Sequence, residues 1–138
     1  MTYQNLTPKQ TYIVSIAPGE EIMEALSKFI KSQEIKSGYI IGIGAVKSAR
    51  LGWYYVPGKK YFERKVKKPL EITNLIGIIT SGKIHIHATF SSQMLKAYAG
   101  HLTKANVSGA CELIVVETKE AIKRKHSEQI GLELLNLV

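Results

Sequence analysis

The chain reads as strand almost without a break from Tyr39 to Glu117, and no other feature narrows its fold as much. Tyr39-Ile40-Ile41-Gly42-Ile43-Gly44-Ala45-Val46 is apolar on both faces, the pattern of a central strand, and its glycines mark a bulge or a close neighbour. Leu51 to Val56 is a further strand, closed by the turn Pro57-Gly58. Lys59 to Lys68 alternates poorly and is rich in Lys, as an exposed edge strand would be. Leu70 to Thr80 is a long strand bent near Gly77, and a tight turn at Ser81-Gly82 leads into a strand over 83–90. Ser91 to Gly100 reads as a linker or a short helical turn. Strand character resumes at His101 and continues into the buried run Ala110 to Glu117.

Before this block, Thr11 to Ile16 is a β-branched strand and Pro18-Gly19-Glu20-Glu21 opens a helix. Ile22, Leu26, Phe29 and Ile30 recur at helical spacing, so 20–33 is an amphipathic helix lying on a sheet. Residues 1–9 are polar and read as loosely held. After the block, Lys119 to Glu128 is highly charged and favours helix, and Leu132, Leu134, Leu135, Leu137 and Val138 dock a terminal strand or turn. The expectation is an α+β fold (α/β two-layer): one domain over 1–138, with a mainly antiparallel sheet of about seven strands flanked by helices.

The strand over 83–90 carries the one arrangement that looks like chemistry. At period two, Ile84, Ile86, Ala88 and Phe90 form an apolar face, and Lys83, His85, His87 and Thr89 a polar one. Residues two apart on a strand lie about 6.6 Å from each other and point the same way. His85 and His87 can therefore converge on an ion, and His101, after Gly100, is far enough along to return on a neighbouring strand. Three imidazoles leave a fourth tetrahedral position open, and imidazole-only ligation suits zinc first among divalent transition metals. The competing reading is a plain polar strand face. Glu112 comes early in a buried-looking strand, where it would serve as a general base on a metal-bound water, as an orienting partner of a histidine, or in a salt bridge to one of the many Lys.

Charge and composition narrow the rest. The net charge is +8, from sixteen Lys and three Arg against eleven Glu and no Asp. Without Asp there is no Asp-dependent triad, EF-hand or Walker-type magnesium ligand. A Lys-rich surface neutralises phosphates without reading bases, and with many Glu and Ile it also suits a thermophile's solvated exterior. Lys59, Lys60, Arg64, Lys65, Lys67 and Lys68 are the nucleic-acid candidates, against a reading as an edge that blocks aggregation. Trp53, Tyr54 and Tyr55 are able to stack bases, but on a strand alternate rings point into the core. Gly42-x-Gly44 lacks the third glycine and the helix of a dinucleotide site. The single cysteine, Cys111, reads as core and points to a reducing compartment. No run approaches the roughly 20 apolar residues of a membrane helix, and no signal peptide opens the chain, so the cytoplasm is the expected location.

Taken in order, Pro18-Gly19-Glu20-Glu21-Ile22, Gly42-Ile43-Gly44-Ala45-Val46, Leu70 to Gly77, His85-x-His87, Gly100-His101-Leu102 and Cys111-Glu112-Leu113 resemble the PPC domain (plants and prokaryotes conserved), over about 10–118. The resemblance implies a mostly antiparallel sheet, a homotrimer, and in prokaryotic relatives a metal taken to be zinc on the histidines matching His85, His87 and His101. In plant members the segment matching Leu70 to Leu75 is tied to interactions with other proteins, and DNA is bound through a separate Arg-Gly-Arg-Pro hook that this chain lacks. The family's acidic, Gly-rich turn before the third histidine is replaced here by Ser91 to Ala99, which contains no acid. Three functions follow: a trimeric metal-binding interaction or regulatory module, a zinc hydrolase on the three histidines, or a protein associated non-specifically with DNA or RNA.

Overall fold

The computed structural model describes residues 1–137. Eight strands and one helix follow in the order β1 (Pro8–Ile16), α1 (Ile22–Ser32), β2 (Ser37–Tyr55), β3 (Lys60–Val66), β4 (Leu70–Thr80), β5 (Lys83–Ser91), β6 (Ala97–Thr118), β7 (Lys123–Ser127) and β8 (Leu132–Asn136). Six strands form one antiparallel sheet in the order β1-β6-β5-β4-β2-β3, and β7 and β8 form a separate ribbon. Because β6 also pairs with β2, the neighbours β2, β4, β5 and β6 return to their start and the sheet closes on itself.

This corrects the expected α+β two-layer fold flanked by helices: strands hold 64% of the residues, helix holds 8%, and α1 is the one helix among those described. The charged segment after Lys119 is the source of the difference. Ile122 is buried, its N–H donates to the buried Ser37 Oγ at 2.7 Å, and the chain then runs out as β7. As a helix it would have had little apolar surface to pack, and tertiary contacts override propensity in that case. Two pairs of expected strands also merge: 39–46 and all of 51–56 but Val56 are both β2, while part of the expected linker before Gly100 and everything after it to Thr118 is β6. Pro8 and Lys9, expected in a loose segment, begin β1. Leu132, Leu134 and Leu135 fall on β8 and are exposed, and Val138 lies outside the described residues.

The interior is made by the alternate residues that face inward from the closed sheet. Ile40, Leu75, Ile86, Phe90, Leu102 and Leu113 have essentially no solvent contact, and Ile22, Leu26 and Ile30 bring one face of α1 into the same cluster. Burying side chains of this size stabilises by about 1.5–3 kcal/mol each before the entropy of ordering is subtracted. Tyr12 of β1 meets Phe29 of α1 edge to face at 5.3 Å, which seats the helix against the sheet edge.

The start of α1 is tied to β6 by one carboxylate. Glu21 caps the helix, accepting from the N–H of Met23 at 3.1 Å and of Glu24 at 2.8 Å, and its Oε1 also accepts from the Ala105 N–H at 2.8 Å. Replacing Glu21 by Ala leaves three backbone donors without this partner. The expected outcome for Glu21→Ala is a loss of about 1–2 kcal/mol, read as a lower urea midpoint with an unchanged slope.

Candidate metal centre

The histidines are positioned by what their neighbours bury. Ile86, Ala88 and Phe90 fill the interior, so His85 and His87 stand on the outer face of β5. The two-residue hairpin at Ser81 and Gly82 has φ of 50° and 74°, a type I′ geometry that fixes the register of β5 on β4. On the other side His87 lies directly opposite His101 of β6, and the β5–β6 pairing runs from that pair to Ser91 and Ala97. Beyond His101, β6 leaves β5 and follows β2. The three imidazoles therefore meet at a fork between strands.

One nitrogen from each ring can be chosen so that all three lie within 4.8 Å of one another. Ring centroids are 5.1 Å apart for His85 and His87, 4.9 Å for His85 and His101, and 5.6 Å for His87 and His101. Tetrahedral zinc with Zn–N bonds of about 2.0–2.1 Å needs nitrogens about 3.3 Å apart, a difference within the reach of small ring rotations. The donor set fits the ion, since three imidazoles each offer a nitrogen and, among the described residues, no fourth side chain joins the group.

The surroundings include residues that sequence reasoning did not single out. Arg124 of β7 holds three partners: Nε donates to Thr80 Oγ1 at 3.2 Å, Nη1 to the Glu133 carbonyl at 2.8 Å, and Nη2 to His85 Nδ1 at 3.3 Å. Tyr61 of β3 meets the His101 ring edge to face at 6.0 Å. Gly52 lies opposite His101, and a Cβ there would sit 1.5 Å from the Tyr61 hydroxyl, so the absence of a side chain admits that ring. Glu63, in register with Gly52, accepts from Thr103 Oγ1 at 2.7 Å, pairs with Arg50 at 3.1 Å, and favours the charged form of His101 through space. The contacts that bring Arg124, Tyr61 and Glu63 to the histidines are long-range in sequence, and only the topology reveals them.

Burial, followed by His101, Arg124 and His87, pushes the pKa of His85 down to about 4. His101 is also lowered, first by burial and then by His87, with Glu63 opposing. Both rings are thus neutral near pH 7, the form in which a nitrogen lone pair can bind a metal.

The other sequence candidates lie elsewhere. Glu112 is exposed, not buried, and lines a shallow depression with Ile43, Glu71 and Thr73; it is not among the side chains gathered at the triad. Cys111 is fully buried, which pushes its thiol up to about 11, so it is core and not a nucleophile at neutral pH. Lys60, Arg64 and Lys65 are exposed on β3, Lys59 donates to the Glu128 carbonyl, Lys67 is exposed just beyond β3, and Lys68 donates to the Tyr98 hydroxyl at 2.8 Å. Trp53 and Tyr55, expected to point in part into the core, are 63% and 43% exposed because the β2–β3 ribbon extends past it. Within Leu70 to Leu75, Leu70, Ile72 and Leu75 are buried, leaving Glu71, Thr73 and Asn74 on the surface.

A row of apolar side chains runs across the outer face up to the triad. Ile13, Ile114, Ile41, Ile76 and His87 are successive partners on β1, β6, β2, β4 and β5. Ile41 and Ile76 are 41% and 52% exposed, and Ile43 and Ile78 stand exposed beside them. Among the described residues no helix is long and apolar enough to cross a membrane.

The sequence profile of the Plants and Prokaryotes Conserved (PCC) domain matches residues 3–119. No curated protein matches the chain. Among solved structures, a candidate DNA-binding protein from Bacteroides thetaiotaomicron is 35% identical with a TM-score of 0.88, covering 95% of this chain and 96% of that one. A metal-containing protein from Archaeoglobus fulgidus is 30% identical with a TM-score of 0.90, over 99% of this chain and 100% of its own. A plant- and prokaryote-conserved protein from Pyrococcus horikoshii is 26% identical with a TM-score of 0.90, over 100% and 99% of the two chains.

The lowered affinity of His85 for protons has a consequence for stability. Between about pH 4 and pH 6.5 the unfolded chain protonates this residue and the folded one does not, so stability falls as the pH falls through that window. Chelator-treated protein is expected to show a urea midpoint that declines over this range, with a His85 ring signal in NMR titrating near pH 4. His85→Gln flattens the decline; a His85 midpoint at the usual 6.5 contradicts the reading.

Proposed function

Because the chain belongs to the Plants and Prokaryotes Conserved domain family, we propose that it is a homotrimeric zinc-binding module of the cytoplasm, acting by interaction or regulation. The observation that carries this reading is the convergence of His85, His87 and His101, with donor nitrogens within 4.8 Å and an open side toward solvent. The similarity to a metal-containing archaeal protein over nearly the whole chain agrees with it. Zinc is the preferred ion because three neutral imidazoles match its borderline softness and its tolerance of an open fourth position.

The trimer rests on the outer apolar row. Contiguous exposed isoleucines across four strands are unusual on a lone soluble protein and mark a surface that another chain covers. Copies of this same chain are the occupants in this reading, and the row ends at His87, so subunit packing would border the metal. A hydrolase on the same histidines would need an acid–base group beside the metal-bound water. Glu112 is remote from the cluster in its contacts, and the proposal therefore stops at binding and does not extend to turnover.

Protein purified without an affinity tag is expected to carry about one zinc per chain and to sediment as a trimer. In the pair His85→Ala and His87→Ala, zinc falls below about a tenth of the wild-type content while the circular dichroism is retained. Wild-type protein that takes up no zinc after dialysis against it overturns the metal assignment, and a monomer at micromolar concentration overturns the trimer.

A second reading has its own observation. Trp53, Tyr55 and Phe62 form an exposed cluster, with Trp53 5.9 Å from each of the other rings, and Lys60 and Arg64 share the same face of the β2–β3 ribbon. Aromatic faces interleaved with cations suit single-stranded nucleic acid bound without sequence preference, in keeping with the similarity to a candidate DNA-binding protein. Trp53 is the only tryptophan, so its fluorescence reports on this face directly. An oligothymidine strand is expected to quench it at 50 mM salt, with a log–log salt slope of about −0.7 per phosphate contact that shrinks in Lys60→Ala and Arg64→Ala. Absence of quenching at that salt concentration sinks this reading.

A further inference from the structure

We propose that the metal centre takes a small monocarboxylate with an aliphatic tail, its head shared between the metal and Arg124 and its tail in the adjoining apolar cavity. This rests on the metal reading above and adds to it a ligand class and a residue beyond 119, where the family match ends.

The argument begins with the donors of Arg124. A guanidinium offers five N–H groups and no acceptor, and a neutral imidazole offers a single acceptor nitrogen. In this structure Nη2 uses that nitrogen of His85. A metal held by His85 takes the same lone pair. If the metal binds at Nδ1, the arginine's acceptor is consumed; if it binds at Nε2, Nδ1 carries the proton and becomes a donor facing a donor. Loading the metal would thus leave Nη2 without an acceptor next to one of the three ligands. Nε and Nη1 stay engaged by Thr80 and the Glu133 carbonyl, which keep the guanidinium at the site. Among the described residues no carboxylate forms an ion pair with Arg124. An anionic oxygen ligand supplies both missing interactions at once, and carboxylates match the guanidinium fork in geometry.

The tail follows from the neighbouring space. A cavity of about 230 Å³ is lined by Leu6, Tyr39, Ile78, Ile122 and Leu135 among others. Ile78 is the β4 partner of His85, and Leu135 is the β8 partner of Arg124, so two of the cavity's lining residues are the cross-strand neighbours of the two groups that would hold the head. Its lining is almost wholly apolar, which favours a hydrocarbon chain over a second charge. The ribbon β7–β8 supplies both Arg124 and Leu135, and thereby recognises both ends of the ligand.

Hexanoate, hexanamide and acetate are the probes, titrated calorimetrically into zinc-loaded protein, with zinc content measured for every variant. Hexanoate is expected to bind, hexanamide to bind at least roughly 30-fold more weakly for want of charge, and acetate to be weaker by about fourfold for each methylene it lacks in the cavity. In Arg124→Gln the hexanoate affinity falls roughly 30-fold, while zinc is held at least as tightly because a positive charge and a competitor for His85 are gone. Cobalt(II)-substituted wild type shifts its visible spectrum with hexanoate and not with hexanamide, a readout that decides even if Arg124→Gln does not fold. Hexanoate bound equally by Arg124→Gln with its zinc intact, or a cobalt spectrum indifferent to hexanoate, overturns this proposal alone. Failure of the wild type to take up zinc or cobalt overturns the metal reading, and this one with it.

Discussion

The geometry of the whole site depends on which side of β5 faces inward. Ile86, Ala88 and Phe90 are all but sealed from solvent, and their burial leaves His85 and His87 no place but the outer face. A slip of one residue would bury two imidazoles and expose three core side chains, so the register is held by several kilocalories of packing, of order 2 kcal/mol for each side chain. The I′ hairpin at Ser81 and Gly82 and the cross-strand pair His87–His101 act in the same direction as that packing. Local turn chemistry, hydrophobic pattern and chemistry-bearing residues all agree on one register, which is the consistency expected of a well-specified strand.

The two long strands give the site its openness. β2 pairs with β4 along its first half and with β3 along its second, while β6 touches β5, then β2, and finally β1 as well. Each change of partner opens a fork, and irregular register marks several of them. The triad lies where β6 parts from β5, and the ribbon β7–β8 reaches into that opening with Arg124. A sheet with uniform pairing throughout would have sealed the gap with another ladder and left the histidines as an ordinary surface row.

How far this was legible in sequence varied with the range of the interaction. Alternation at period two placed His85 and His87 on one side of a strand, and the ordered motifs brought His101 to them; both depend on local pattern. The fold class is not legible there because composition alone favours helix over Lys119 to Glu128, whereas Ile122 docking on Ser37 and Arg124 bonding to Thr80 decide its conformation. Glu63, Tyr61 and Arg124 were invisible as neighbours of the histidines, since no spacing rule connects positions separated by tens of residues through two strand crossings. The aromatic run Trp53 to Tyr55 shows a related limit: alternation says which residues share a face, and not whether the core extends far enough to cover it. Glu112 illustrates the same limit, lying in an apolar-looking run yet on the outer face, between buried Cys111 and Leu113.

Electrostatics sets a condition that the histidines alone do not satisfy. The chain carries a net charge of +8, and Arg124 adds a guanidinium in contact with one of the rings. Burial first, then His101 and Arg124, lowers the proton affinity of His85 and keeps its nitrogen free near neutral pH, while the positive charge beside it opposes a divalent cation. A neutral three-imidazole set contributes no charge to offset it. Glu63, the carboxylate that acts on His101 through space, is already shared between Arg50 and Thr103. The His85 side is left electropositive, facing open solvent. On the metal reading proposed above, an ion held there would need an anion to complete its charge balance, and Arg124, on the ribbon at the fork, would be the donor for it.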